Sequence, residues 1–269
     1  MPISTTHSLV GALVGAGAAA GSEISIARLS GGFFLPLLAS PLIAIAATSP
    51  ILPLLRRMRY SLGVTETTCL CVDTEAPVVV DAYGTATMHS PAPQISVELT
   101  EEVECQTRFP DAIVRVGAAS LLDQLHFLSA GIVSFARGLN DTPKIAALLL
   151  LLPSINGVAG TALVGVVIAL GGILRSRKVA ETMSRRITSM NHGEGFAGNL
   201  VTGAIVLGAS HLGLPVSTTH VSCGALFGIG VAGEQAHWRT IGSILIAWLT
   251  TLPAGACCGA ACFIVLSRF

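Results

Sequence analysis

"PISTTHSLVGALVGAG" (residues 2–17) and "PVSTTHVSCGALFGIG" (residues 215–230) share ten of sixteen positions, although they lie at opposite ends of the chain. Chance does not produce that agreement. Each copy opens with a proline, three hydroxyl side chains and a histidine, and then becomes a run of glycine and apolar residues. Duplication at such range marks an architecture of internal repeats, and in an apolar chain it points to transporters ahead of membrane enzymes or structural proteins.

The rest of the sequence is apolar enough to make that relevant. Of 269 residues, 52% are hydrophobic and 11% charged, with a mean hydropathy of +0.74. A soluble domain carries about 25% charged residues and must cover its surface with them. No Asp, Glu, Lys or Arg falls between Arg28 and Arg56, Lys144 and Arg175, Glu194 and Glu234, or Arg239 and Arg268. Each run exceeds the roughly 20 residues that cross a bilayer as a helix. The reading is an all-α polytopic protein of the cell membrane. The formal net charge of zero offers no surface for a polyanion, so nucleic acid is excluded as a partner.

Three zones follow. Residues 1–57 form an N-terminal membrane segment, a partial first repeat: a glycine-alanine helix after His7, then an apolar run in which Pro36, Pro41, Pro50 and Pro53 predict a kinked or broken helix. Residues 58–117 form a polar acidic insert, with nine acids between Glu66 and Asp111 and one base, Arg108. Its short runs "APVVVDAYG" and "PQISVELT" predict some β-strand. Residues 118–269 are the C-terminal membrane repeat, with crossings expected at 118–137, 145–174, 195–212 and 240–266 and a further helix at 217–233. The basic clusters "RRMR" (56–59) and "RSRKVAETMSRR" (175–186) belong on the cytoplasmic side, which also places the insert there. With two crossings between them, the helices after His7 and His220 run in opposite directions, as in an inverted repeat.

The hydroxyl clusters admit two accounts. Ser or Thr ahead of a helix caps free backbone N–H groups, worth roughly 1 kcal/mol. That explains one hydroxyl in each copy, not three. A helix N-terminus also carries about half a positive charge and unpaired donors, which suits an anion. Two such ends facing each other would make a cradle for a tetrahedral oxyanion. A second polar cluster lies in "FARGLNDTPKI" (135–145), where Pro143 is expected to interrupt the helix. Ionisable groups at membrane depth are costly and normally face a site or a cavity. The alternative is that Arg137, Asp141 and Lys144 cap a crossing at the interface and satisfy one another.

Cys223, Cys257, Cys258 and Cys262 sit in apolar runs as packing residues, whereas Cys69, Cys71 and Cys105 fall in the insert. The C-x-C pair Cys69 and Cys71 could contribute to a metal site, but no paired spacing matches a standard zinc pattern, so no metal site and no cofactor is expected.

At "GLNDTPKI" (138–145), "GLPVSTTHVSCGALFGIG" (213–230) and "PISTTHSLVGALVG" (2–15) the chain resembles the inorganic phosphate transporter family of Na⁺- or H⁺-coupled symporters. The resemblance covers both membrane zones and skips the insert. It implies phosphate held between two repeats by Ser4, Thr5, Thr6, Thr142, Ser217, Thr218 and Thr219. Asn140, Asp141 and Lys144 would handle the coupling ion or proton, and His7 and His220 are motif histidines. Family members carry an N-D element ahead of each hydroxyl cluster, and here the first is absent. The resemblance therefore implies an N-terminally shortened member, acting as a homo-oligomer or with a partner carrying the missing part. Lys144 stands where many members have a second Asn, which favours H⁺ coupling or fewer Na⁺. The rival readings are a remnant that does not transport, and a membrane enzyme pairing a motif histidine with Asp141. The enzyme reading lacks any GxSxG, HExxH or phosphate-loop motif.

Overall fold

The structure, a computed structural model, describes residues 2–75, 79–80, 86–87, 94–149 and 156–268. It divides into two compact units, one of residues 2–54 with 128–268 and one of residues 55–127.

The first unit is helical. α1 (Thr5–Ala19) carries the first repeat motif. A short α2 (Ile26–Leu29), a π-turn at Ser30–Phe34 and α3 (Leu35–Ser61) then run on as one apolar span of 36 residues. The proline-rich run is thus not broken. The π-turn lies just before Pro36, where the widened ladder absorbs the missing N–H, and Pro41, Pro50 and Pro53 are carried inside α3.

α5 (Ala118–Leu149) enters this unit at Leu128, and α6 (Gly157–Glu181), α7 (His192–His211), α8 (Thr218–Ala232) and α9 (Trp238–Leu266) complete it. The expectation that Pro143 interrupts the helix is not met, because α5 continues through it to Leu149. Proline removes only the bond to the Leu139 carbonyl, a loss that bundled membrane helices tolerate. Nor do residues 145–174 form one crossing. Residues 145–149 finish α5, and α6 starts afresh where Asn156 Oδ1 accepts from Val158 N at 2.9 Å.

Among the described residues, four helical segments are long and apolar enough to span a bilayer: Ile26–Ser61, Ala118–Leu149, Gly157–Leu174 and Trp238–Leu266. They expose large apolar side chains such as Leu38, Leu42, Ile246 and Leu249, as a lipid-facing surface requires. α7 and α8 are different: both are buried along much of their length and form the interior.

Close packing of that interior depends on the repeated glycines. The alignment that sets Ser4 on Ser217 also sets Gly11 on Gly224 and Gly15 on Gly228. In the first copy, a Cβ at Gly11 or Gly15 would collide with the α9 backbone at Leu252 and Ala256. In the second, a Cβ at Gly224 would lie 2.5 Å from the Pro41 carbonyl oxygen, and one at Gly228 2.9 Å from that of Ile45, both in α3. So α1 packs on α9 while α8 packs on α3. This exchange of partners is what a two-fold relation between repeats produces, and small residues are what allow helices to approach so closely in lipid.

The second unit holds a three-stranded antiparallel sheet in the order β4-β1-β5, made from β1 (Thr68–Glu75), β4 (Gln94–Glu101) and β5 (Val114–Gly117). A two-stranded pair, β2 (Val79–Val80) and β3 (Ala86–Thr87), accompanies it. "PQISVELT" supplies most of β4, whereas much of "APVVVDAYG" lies outside the described residues. α4 (Glu102–Arg108) covers one face of the sheet, and a disulfide joins Cys105 on this helix to Cys71 on β1.

Candidate anion site

The site is built from two helix starts and one helix flank. At α1, Ser4 has extended backbone and its Oγ accepts from His7 N at 3.2 Å. At α8, Ser217 does the same for His220 N at 3.3 Å. The first hydroxyl of each cluster is therefore a cap, as ordinary helix chemistry dictates. What brings the second start into place is the turn after α7. Gly213 adopts φ +66°, its N–H bonds the Ser210 carbonyl, and Leu214 N bonds the Ala209 carbonyl at 2.8 Å. This Schellman closure stops α7 and sends Pro215 and Val216 back into the bundle.

The flank belongs to α5, where Arg137, Asn140, Asp141 and Lys144 recur at the spacing of one helical face. Lys144 Nζ donates to Thr6 Oγ1 at 3.3 Å, to Asp141 Oδ1 at 3.4 Å and to the Val216 carbonyl at 2.6 Å. Arg137 reaches the other cluster: Nε donates to Thr218 Oγ1 at 3.1 Å and an Nη to Thr219 Oγ1 at 3.2 Å. Thr218 in turn donates to Asp141 Oδ2 at 3.2 Å. Asn140 Nδ2 holds the Val216 carbonyl at 2.9 Å and Asp141 Oδ1 at 3.2 Å, and Ser210 donates to Asn140 Oδ1 at 3.5 Å. One chain of bonds thus runs from Thr6 through Lys144 and Asp141 to Thr218, Arg137 and Thr219.

A cavity of ≈ 400 Å³ opens against the first half of this chain, lined by Thr5, Thr6, Ser8, Asp141 and Lys144 with Ile3, Leu9 and Ile145. Ser217, Thr218 and Thr219 do not line it. They are buried, and the hydroxyls of Thr218 and Thr219 are held by Arg137 and Asp141. Thr142 lies one residue off the polar face of α5, makes none of these contacts and lines no part of the cavity.

His7 and His220 sit beside the network. Their rings meet at a tilt of 59° with centroids 4.6 Å apart, and the Trp248 ring centroid lies 3.7 Å from that of His220 at a tilt of 55°. The Trp248 indole also donates to the Pro2 carbonyl at 3.2 Å, which ties the first motif to α9. Arg137 and Trp248 are the contributors that no motif announced. Arg137 falls in the polar cluster of residues 135–145, one helical turn before Asn140 and Asp141, but its role toward Thr218 and Thr219 is seen only in the structure. Trp248 offered no such signal.

Electrostatically the site is unusual for an apolar bundle. Arg137 and Lys144 bring two positive charges against the single carboxylate of Asp141, and two helix N-termini add partial positive charge. The side chains of Asp141 and Lys144 are only 13% and 18% exposed. Such a surplus suits an anion that arrives to complete it.

Long apolar helices around a buried polar centre, with repeated half-motifs that exchange partners, define a polytopic integral membrane protein with internal repeats. A family model described as the phosphate transporter family matches residues 1–259, and the chain belongs to that family. It is 32% identical over 150 residues to a "Probable low-affinity inorganic phosphate transporter" of Rhizobium meliloti (strain 1021), an alignment covering 52% of this chain and 45% of that protein. It is 26% identical over 319 residues to "Inorganic phosphate transporter 2-1, chloroplastic" of Arabidopsis thaliana, covering 95% of this chain and 53% of that one. The chain therefore spans about half the length of these relatives. Among solved structures it is similar to "The sodium-dependent phosphate transporter", with a TM-score of 0.48 and 21% identity, over 98% of this chain and 64% of that one.

Proposed function

We propose that this protein moves inorganic phosphate across the membrane by symport with H⁺, and that Thr5, Thr6, Lys144 and the Arg137-held Thr218 and Thr219 form its phosphate site. The observation that carries the reading is the charge surplus: two cations against one carboxylate, wired to the hydroxyls of two repeated helix starts. Hydroxyl and N–H donors bind a tetrahedral oxyanion strongly where water is scarce. Family membership and the names of its relatives support phosphate as the anion.

The choice of coupling ion rests on Lys144. Its ammonium is surrounded by a carboxylate oxygen, a hydroxyl oxygen and a backbone carbonyl oxygen. That is the all-oxygen ligand set that suits a hard cation such as Na⁺. A tethered ammonium in that place does the work of one bound Na⁺, so the transported charge is balanced by a proton instead. Asp141, shared by Lys144 and Thr218, is the carboxylate in position to carry it.

Phosphate uptake into proteoliposomes holding the purified protein tests this. An inward proton gradient without Na⁺ should drive accumulation. Uptake that requires Na⁺ and ignores the proton gradient would overturn the coupling, and no uptake under either gradient would overturn transport by this chain.

A further inference from the structure

We infer that Cys69, Cys71 and Cys105, once reduced, form a binding site for one thiophilic divalent cation of the Zn²⁺ type in the 55–127 unit.

Cys69 and Cys71 are two residues apart on β1, so the pleat sends both side chains to the same face. α4 lies on that face and brings in Cys105, 34 residues further along. The three sulfurs lie within 4.8 Å of one another, and the residues are 3%, 1% and 0% exposed. Three convergent thiols in one buried cluster exceed what packing or a single disulfide requires. The C-x-C pair on β1 supplies two ligands, and the third comes from a helix far along the chain, which is why no complete zinc spacing stands in the sequence.

The surroundings supply what a cation needs. Cys69 forms part of the wall of a cavity of ≈ 440 Å³, which gives an entry path and room for a fourth, oxygen ligand. Glu102, Asp123 and Arg115 are among the residues that line that cavity. Arg115 pairs with Cys71 across the sheet and donates to the carbonyls of Phe109 and Pro110, fixing the end of α4. Three thiolates around a divalent ion leave one negative charge, which the Arg115 guanidinium offsets. Soft thiolates select cations of this kind over Mg²⁺ or Ca²⁺.

The Cys71–Cys105 disulfide is the competing state. A dithiol or phosphine reductant supplies two electrons and, with two protons, converts the bond to two thiols while itself becoming oxidised. Binding of the cation then releases the three thiol protons to solvent. The cytoplasmic side expected for this unit favours the reduced form.

The test uses the intact protein in detergent, reduced with a phosphine and titrated with Cd²⁺ as an optical probe and Zn²⁺ as competitor. We expect a thiolate-to-metal charge-transfer band that saturates at one Cd²⁺ per chain and is displaced by Zn²⁺. Cys69→Ser should lower affinity by more than the roughly 10–100-fold that loss of a merely supporting contact costs. Cys257→Ser, in α9, should change nothing. Absence of the band in reduced wild-type protein would overturn the inference, and needs no variant to fold. A band that survives Cys69→Ser and Cys105→Ser but falls with Cys257→Ser would also overturn it.

Discussion

The imidazole of His7 lies against that of His220, the residue that occupies the same place in the second repeat, with ring centroids 4.6 Å apart. A residue that touches its own counterpart lies close to an axis relating the two copies. The histidines mark where the two hydroxyl-bearing helix starts meet, and the Trp248 ring closes against His220 from α9. The polar network on α5 is shared between the copies for the same reason: Lys144 serves Thr6 of one, Arg137 serves Thr218 and Thr219 of the other.

The exchanged packing makes a sharp statement about glycine. Gly15→Ala should destabilise the protein by about 1–3 kcal/mol, because its methyl must displace the Ala256 backbone. Gly17→Ala, in the same helix but with nothing within 4 Å, should be neutral or stabilising by up to about 1 kcal/mol. Thermal unfolding of the two variants in detergent should move in opposite directions or differ by several degrees.

Ser4→Ala and Ser217→Ala should cost about the same, roughly 1 kcal/mol each, since each removes one equivalent cap bond. Ser→Asn at either position should restore most of it. Chemical denaturation with helix content as readout checks this. A loss confined to one copy would argue that the two starts are not equivalent.

Arg137→Lys keeps the charge but loses the planar fork that reaches two hydroxyls at once. Loss of one charge-assisted bond is worth about 1.5–3 kcal/mol. Phosphate affinity should therefore fall about tenfold or more, with the fold intact by circular dichroism. Unchanged affinity would place Arg137 outside the site.

Lys144→Asn empties the oxygen cage of its tethered cation. Uptake by this variant should become dependent on added Na⁺, while wild type remains driven by the proton gradient. The same ion dependence in both proteins would remove Lys144 from coupling.

The repeat and the apolar character of the chain are readable in the sequence, because each rests on local composition and spacing; that the capping hydroxyl of each cluster is the serine, Ser4 and Ser217, comes from the structure. The expected interruption at Pro143 is not found, because a rule from soluble helices overstates the cost of proline inside a bundle. Thr142 was attached to the site by its motif, yet the helical turn carries it off the face shared by Asp141 and Lys144. For Arg137 the sequence leaves a site role and an interfacial cap both open, because nothing local says that α8 will come within reach. That contact depends on the local Gly213 turn and on the close approach of α8 to α3, and the second is a product of tertiary packing.

The central claim is that the two helix starts and the α5 cations together bind phosphate. Its most direct measurement is the shift in thermal stability of the purified protein on adding phosphate, compared with Thr6→Ala and Thr218→Ala. The account predicts stabilisation of wild type that grows with phosphate, reaching about 2.7 kcal/mol at a hundred times the dissociation constant, and loss of most of that effect in each variant. No phosphate effect on wild type at any pH, or an equal effect in all three proteins, would contradict it.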